Sequence, residues 1–163
     1  MNEPDLVHVR IGQLAIGHSP TILKATLGSC IGVALLWRAR GVYGLAHCLL
    51  PLAPDASIGH GRARYVDQAV ISLLDAMGAM AEHHAEIEAH LAGGGNMMQR
   101  TPAAGRVLPV GQLNIEAAQR VLEAHGIKVH SADLAGFHAR QIQVDCASGS
   151  VKVTRVPAPD GAR

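Results

Sequence analysis

The thiol of Cys30 and the imidazole of His47 are the pair in this sequence whose types and spacing fit nucleophilic catalysis. Two apolar runs, Cys30 to Trp37 and Val42 to Leu50, flank Arg38-Ala39-Arg40-Gly41, which reads as the turn of a β-hairpin. With Arg38 opposite Gly41, Cys30 faces Leu49, and His47 lies diagonal to Cys30 on the same side, about 7–8 Å away between backbones. A shift of two residues puts the pair directly opposite, and a shift of one sends them to opposite faces. Cys48, adjacent to His47, points the other way from it in every extended register. An ordinary thiol is mostly protonated at neutral pH, so attack needs help, and an imidazole with backbone N–H dipoles draws the thiol pKa down. Gly28 and Ser29 set Cys30 just after a small-residue turn, where backbone N–H groups can face a developing oxyanion. That combination suits acyl transfer from an amide or an ester. The competing reading is packing, because free cysteine often serves as a small buried hydrophobe.

Strand-like segments Val7 to Ile16 and Thr21 to Ala25 precede this hairpin. From Arg62 to about His84, residues Val66, Val70, Leu73, Leu74, Met77 and Met80 recur at helical spacing and predict a long amphipathic helix ending at His83 and His84. A short strand, Ile87 to Ala92, runs into Gly93-Gly94-Gly95. No Gly-Lys-Ser/Thr follows the triplet, so it reads as a close backbone approach rather than a phosphate loop. A second helix takes Asn114 as its N-cap, Ile115, Ala118, Val121 and Leu122 as its apolar stripe, and Gly126 as its stop. Strands Ile127 to Ala132, Gln141 to Cys146 and Val151 to Val156 close the chain, with Cys146 on an apolar face. This order predicts an α+β layered sandwich, mixed or antiparallel β-sheet with two main helices packed outside. Without repeat or linker, residues 1–163 read as one domain whose tail, 157–163, is frayed.

At 48% hydrophobic and 17% charged residues, the chain is too apolar for general disorder. A net charge of +1 and only four aromatics (Trp37, Tyr43, Tyr65, Phe137) supply neither a phosphate-neutralising field nor a row of stacking platforms, which argues against nucleic acid. The apolar run Cys30 to Trp37 is far short of the roughly 20 residues a spanning helix needs, so no membrane insertion is expected. The acidic N-terminus lacks the features of an export signal, and an odd set of three cysteines suits free thiols in the cytoplasm. The His and Cys spacings complete no ligand set, so neither a metal nor another cofactor is expected; His60 and the loop Pro51 to Gly61 are placed at the rim of the entrance.

Thr26-Leu27-Gly28-Ser29-Cys30-Ile31-Gly32-Val33, with Gly41-Val42-Tyr43-Gly44-Leu45-Ala46-His47-Cys48-Leu49-Leu50-Pro51, resembles the signature of the chemoreceptor glutamine deamidases, the CheD family. Arg64 to Val70, Leu91 to Met98, Val110 to Asn114 and Gly136 to Arg140 extend the resemblance in order over roughly Val7 to Val156. It implies a cysteine-hydrolase-like fold and a cytoplasmic protein-glutamine glutaminase acting on methyl-accepting chemoreceptors. Some such proteins also hydrolyse glutamyl methyl esters. In that reading Cys30 attacks the carboxamide, His47 carries the proton, and Thr26, the hydroxyl nearest the place of the family's threonine a few residues before the Cys, orients His47. Gly28, Ser29, Gly93 and Gly94 would line the substrate site. Ala25 competes with Thr26 in an ungapped alignment, and Ala46 stands where the family usually has Asn. The resemblance also implies an alternative, a regulatory module that binds and stimulates a CheC-type phosphatase.

Overall fold

The computed structural model describes residues 3–55, 62–97 and 108–157. Nine strands and two α-helices are present among them, in two sheets. The strands are β1 (Leu6–His8), β2 (Leu14–Gly17), β3 (Ile22–Leu27), β4 (Ile31–Trp37), β5 (Val42–Cys48), β6 (Glu88–Gly93), β7 (Lys128–Leu134), β8 (Arg140–Asp145) and β9 (Ser150–Arg155). The helices are α1 (Val66–Met77) and α2 (Val110–Ala124). One sheet has the order β1-β3-β8-β9 and the other β2-β5-β4-β6-β7. The β1–β3 and β6–β7 pairs are parallel and the remainder antiparallel, so both sheets are mixed.

Side-chain alternation turns this order into layers. On β4, Ile31, Val33, Leu35 and Trp37 join α1 and α2 in one core, while Ala34 and Leu36, with Cys30 just before the strand, join residues of β3 and β8 in the other. A strand buried on both faces is apolar throughout, which is why every residue of β4 is buried. The order is sheet, core, sheet, core, helices. It is the α+β layered sandwich expected, with the helices outside and on one side only.

The hairpin register is the one inferred from the turn. Ile31 pairs with Cys48, Gly32 with His47 and Trp37 with Val42. Three other expectations need correction. The apolar run Val7 to Ile16 is not one strand: β1 and β2 lie in different sheets, and a turn at Arg10–Gln13, closed by Gln13 N–H on Arg10 O at 2.9 Å, carries the chain between them. The helix from Arg62 is much shorter, because Gly78 takes φ +74° and ends α1 after Met77. His83 and His84 therefore sit in a separate 3-10 segment, Ala81–Glu86. Finally, α2 begins at Val110 behind Pro109, not at Asn114, which lies within the helix.

Candidate active site

The alternation along β4 and β5 decides which groups can meet. Ala46 and Cys48 enter the helix-side core, whereas Tyr43 and Leu45 face the other sheet. His47 continues the second set, and Cys30, just before β4, faces the same way. Cys30 and His47 thus share the inter-sheet side as register-diagonal neighbours, and Cys48 is turned away from both. All three cysteines are unpaired, and Cys146 packs in the inter-sheet core.

His47 is 4% exposed and held in one tautomer. Its Nδ1 donates to the carbonyl of Val9 at 2.9 Å, while its Nε2 is buried without a partner among the described residues. A buried, unpaired acceptor is costly unless something visits it. Its backbone is anchored as well: His47 N–H donates to Gln13 O at 2.9 Å, and His47 O accepts from Gly12 N–H at 2.8 Å. Burial pushes the imidazole pKa below its ordinary value, with the Val9 bond opposing it. Burial also raises the Cys30 thiol, partly offset by a hydrogen bond with its own backbone. The expected depression of the thiol pKa is therefore reversed: desolvation of a charge outweighs the local N–H dipole. Both groups rest neutral, and among the described residues no hydrogen bond joins the Cys30 thiol to His47 Nε2. Cys48 is also raised by burial, and Cys146 is pushed up to about 11.

Thr26 makes no hydrogen bond to this imidazole among the described residues. It alternates with Ala25 and Leu27 on β3, those two facing the core and Thr26 facing out. Among the described residues the ring's only hydrogen bond goes to Val9, so a main-chain carbonyl takes the position expected for a hydroxyl.

Gly28, Ser29, Gly93 and Gly94 do converge, but on each other. The turn carrying Cys30 is tied to the glycine triplet by Gly94 N–H on Cys30 O at 2.8 Å and Gly95 N–H on Gly28 O at 3.0 Å. These two amides, of Gly94 and Gly95, are spent on the turn, which makes the glycine triplet a clamp on it.

Two residues of this clamp were not singled out as such in the sequence. Asn114, fully buried on α2, sends Nδ2 to Ser29 O at 3.0 Å and Leu49 O at 3.1 Å, joining the Cys30 turn to the end of β5. Arg140, buried at the start of β8, donates from Nη1 to Gly93 O at 3.0 Å, from Nη2 to Ala135 O, and from Nε to Asp133 at 2.8 Å. The available signal was a polar residue inside an apolar helix stripe and an arginine opening an apolar strand. Asn114→Ala should cost about 1–3 kcal/mol by leaving two carbonyls short of a donor. Asn114→Asp should cost more, since oxygen replaces the donor facing both carbonyls. Urea unfolding of the two variants checks the order.

His60 lies in residues 56–61, outside the described residues, as does the tail beyond residue 157. Among the described residues no group of three or more His, Cys, Asp or Glu is arranged to hold a metal ion, and no helix is long and apolar enough to cross a membrane.

Residues 49–155 match the family model described as CheD chemotactic sensory transduction. That span begins after Cys30 and His47, but pairwise similarity reaches further. A Bdellovibrio bacteriovorus protein named probable chemoreceptor glutamine deamidase CheD is 38% identical over 92% of this chain and 94% of its own. A Ruegeria relative, named probable chemoreceptor glutamine deamidase CheD 2, is 35% identical over 95% of this chain and 94% of its own. A Pyrococcus abyssi relative with the first name is 35% identical over 92% and 91%. Among solved structures, a Neisseria meningitidis protein of family DUF152 superposes with TM-score 0.51 at 11% identity, over 81% of this chain and 64% of that one. At that identity the likeness concerns the fold.

Proposed function

Because this chain belongs to the CheD family, we propose that it is a protein-glutamine deamidase acting on chemoreceptors through a Cys30–His47 acyl-enzyme. The observation that carries the reading is the unpartnered His47 Nε2 on the inter-sheet side that Cys30 shares, its Nδ1 already held by Val9 O. Nε2 takes the thiol proton as Sγ attacks the side-chain amide carbon, and a tetrahedral oxyanion forms beside the N–H groups of the Gly28–Cys30 turn. The same Nε2 returns the proton to the departing ammonia, leaving a thioester. Water, deprotonated by His47, attacks the thioester; glutamate leaves and the thiol is restored. A glutamyl methyl ester enters through the same thioester and releases methanol instead. The test is a chemoreceptor cytoplasmic fragment incubated with the protein and followed by ammonia release and by the mass gain of amide-to-acid conversion. If no glutamine converts, the regulatory-module alternative takes over.

The resting pair sets the pH dependence. The neutral imidazole is the working form, and its conjugate acid has a pKa below the ordinary 6.5 because of burial. Activity is therefore fully present above that value and lost only as pH falls through the depressed one, so at pH 6.5 more than half of the plateau kcat/KM should remain. A kcat/KM profile with its acid midpoint above 6.5 contradicts the neutral-pair mechanism.

Thr26→Val should change kcat/KM by less than about threefold, the range of an exposed substitution. Steady-state kinetics of this variant separate a main-chain orienter from a hydroxyl orienter.

A further inference from the structure

Asn114 is held in place against its own interest as a polar side chain. It is fully buried on α2, and its Oδ1 has no partner among the described residues. A buried acceptor left unsatisfied weakens a fold, and what offsets it here is the pair of bonds that Nδ2 gives to Ser29 O at 3.0 Å and Leu49 O at 3.1 Å. The helix that carries Asn114 is seated tightly on the glycine triplet. A Cβ at Gly111 would lie 2.5 Å from Gly94 O, and one at Gly94 would lie 2.5 Å from Ile115 Cγ1, so the start of α2 has no room to slide. Gly94 N–H in turn holds Cys30 O at 2.8 Å. Asn114 and the Cys30 turn therefore share one rigid seat.

Peptide geometry converts these bonds into an orientation. In a planar trans peptide the C=O and the N–H point in opposite directions. Residues of α2 line the helix-side core, whereas Cys30 faces the inter-sheet side. Drawing Ser29 O toward Asn114 therefore turns the N–H of the same peptide, that of Cys30, toward the inter-sheet side where the thiol lies. The hydrogen bond between the Cys30 thiol and its own backbone agrees with this placement. As Sγ bonds to the amide carbon, negative charge passes to the amide oxygen one bond further on, beside the same N–H.

We infer that Asn114 is a positioning residue for deamidation: by pinning the Ser29 carbonyl to the helix side, it aims the Cys30 N–H at the developing oxyanion. The inference rests on the deamidase reading and names the residue that prepares its oxyanion site. A clamp that served stability alone would be indifferent to which way this peptide plane faces, whereas an oxyanion donor must be fixed before the charge arrives.

The experiment measures kcat and KM on a receptor cytoplasmic fragment by ammonia release, beside the rate at which iodoacetamide alkylates Cys30, each per folded molecule counted by circular dichroism. Asn114→Ala should lower kcat by about 10²-fold with KM little changed, the scale of one lost oxyanion donor. Alkylation should slow by less than about threefold, because displacement at a saturated carbon develops no oxyanion. Inhibition by butanal should weaken in step with kcat: Sγ bonds to the aldehyde carbon and the thiol proton passes to its oxygen, which occupies the oxyanion position. Asn114→Ser keeps a donor on the same side and should fall between Ala and wild type; it carries the test if Asn114→Ala does not fold. Leu122→Ala loosens the same helix from its apolar stripe and should keep wild-type kcat. Equal losses in kcat and alkylation, the same split in Leu122→Ala, or unchanged kcat in the Asn114 variants overturns the positioning role and leaves the deamidase reading intact. A wild-type chain that releases no ammonia takes down both.

Discussion

Cys30→Ser should lower ammonia release by a factor on the order of 10⁴–10⁶ while leaving the fold in place. The side chain is 6% exposed and lies at the inter-sheet core, so serine fills nearly the same volume and unfolding should shift little. What is lost is the sulfur nucleophile: an alcohol oxygen is intrinsically a far weaker nucleophile than a thiolate, and its shorter bonds hold it back from a carbon placed for sulfur. Cys48→Ser makes the matched control. Cys48 packs in the helix-side core on the opposite face of the hairpin, so that substitution should reduce stability by burying a hydroxyl and leave the chemistry of correctly folded protein nearly unchanged. His47→Ala should fall to a similar level as Cys30→Ser, and the double variant should be no worse than either single one, since the two groups act as a unit. Ammonia release, with circular dichroism to count folded molecules, measures all four. If the loss follows Cys48 and spares Cys30, the proposed nucleophile is wrong.

That Cys30 and His47 share a face was legible because a hairpin's register follows from its turn. With Arg38 set opposite Gly41, the pairing of Gly32 with His47 follows, and that register, rather than one shifted by one or two residues, is the one observed. The layers were legible for a similar reason, since alternation and helical spacing state which side of each element is buried. The partner of His47 was not. It is a carbonyl, every residue carries one, and only the crossing of the chain at Val9 from one sheet toward the other brings that one to Nδ1. Thr26 illustrates the hazard of reading a role from side-chain type alone. In a strand one residue is the difference between facing the core and facing solvent, and position 26 is on the outer side. Asn114 misled in another way: asparagine favours helix starts, but here its two long-range hydrogen bonds outweigh the helix-interior penalty, and Pro109 supplies the start.

Gly93→Ala should abolish most activity through position rather than chemistry. Gly93 ends β6 at φ +109°, a conformation L side chains rarely adopt, so alanine is strained there whatever the space around it. The space is also missing, because a Cβ at Gly93 would lie 2.3 Å from the carbonyl oxygen of Cys30. That oxygen is fixed backbone, held by Gly94 N–H, so it has no rotamer by which to yield. Either β6 peels from β4 or the Cys30 turn moves, and each displaces the backbone that carries the thiol. The Gly93 carbonyl, which accepts from Arg140 and from Ala135 N–H, transmits the same displacement to the other sheet. Misplacement of a reacting group by about 1 Å costs on the order of 10²-fold in rate, and strain together with the clash should remove about 3 kcal/mol or more of stability. Gly95→Ala calibrates the effect. Its Cβ would come no closer than 3.2 Å to a neighbouring heavy atom, the carbonyl of His138, and its backbone carries no positive-φ requirement, so a smaller loss on both scales is expected. Urea unfolding and kcat/KM for the two variants test the clamp. A Gly93→Ala enzyme with wild-type kcat/KM would mean that the glycine triplet does not set the position of the nucleophile.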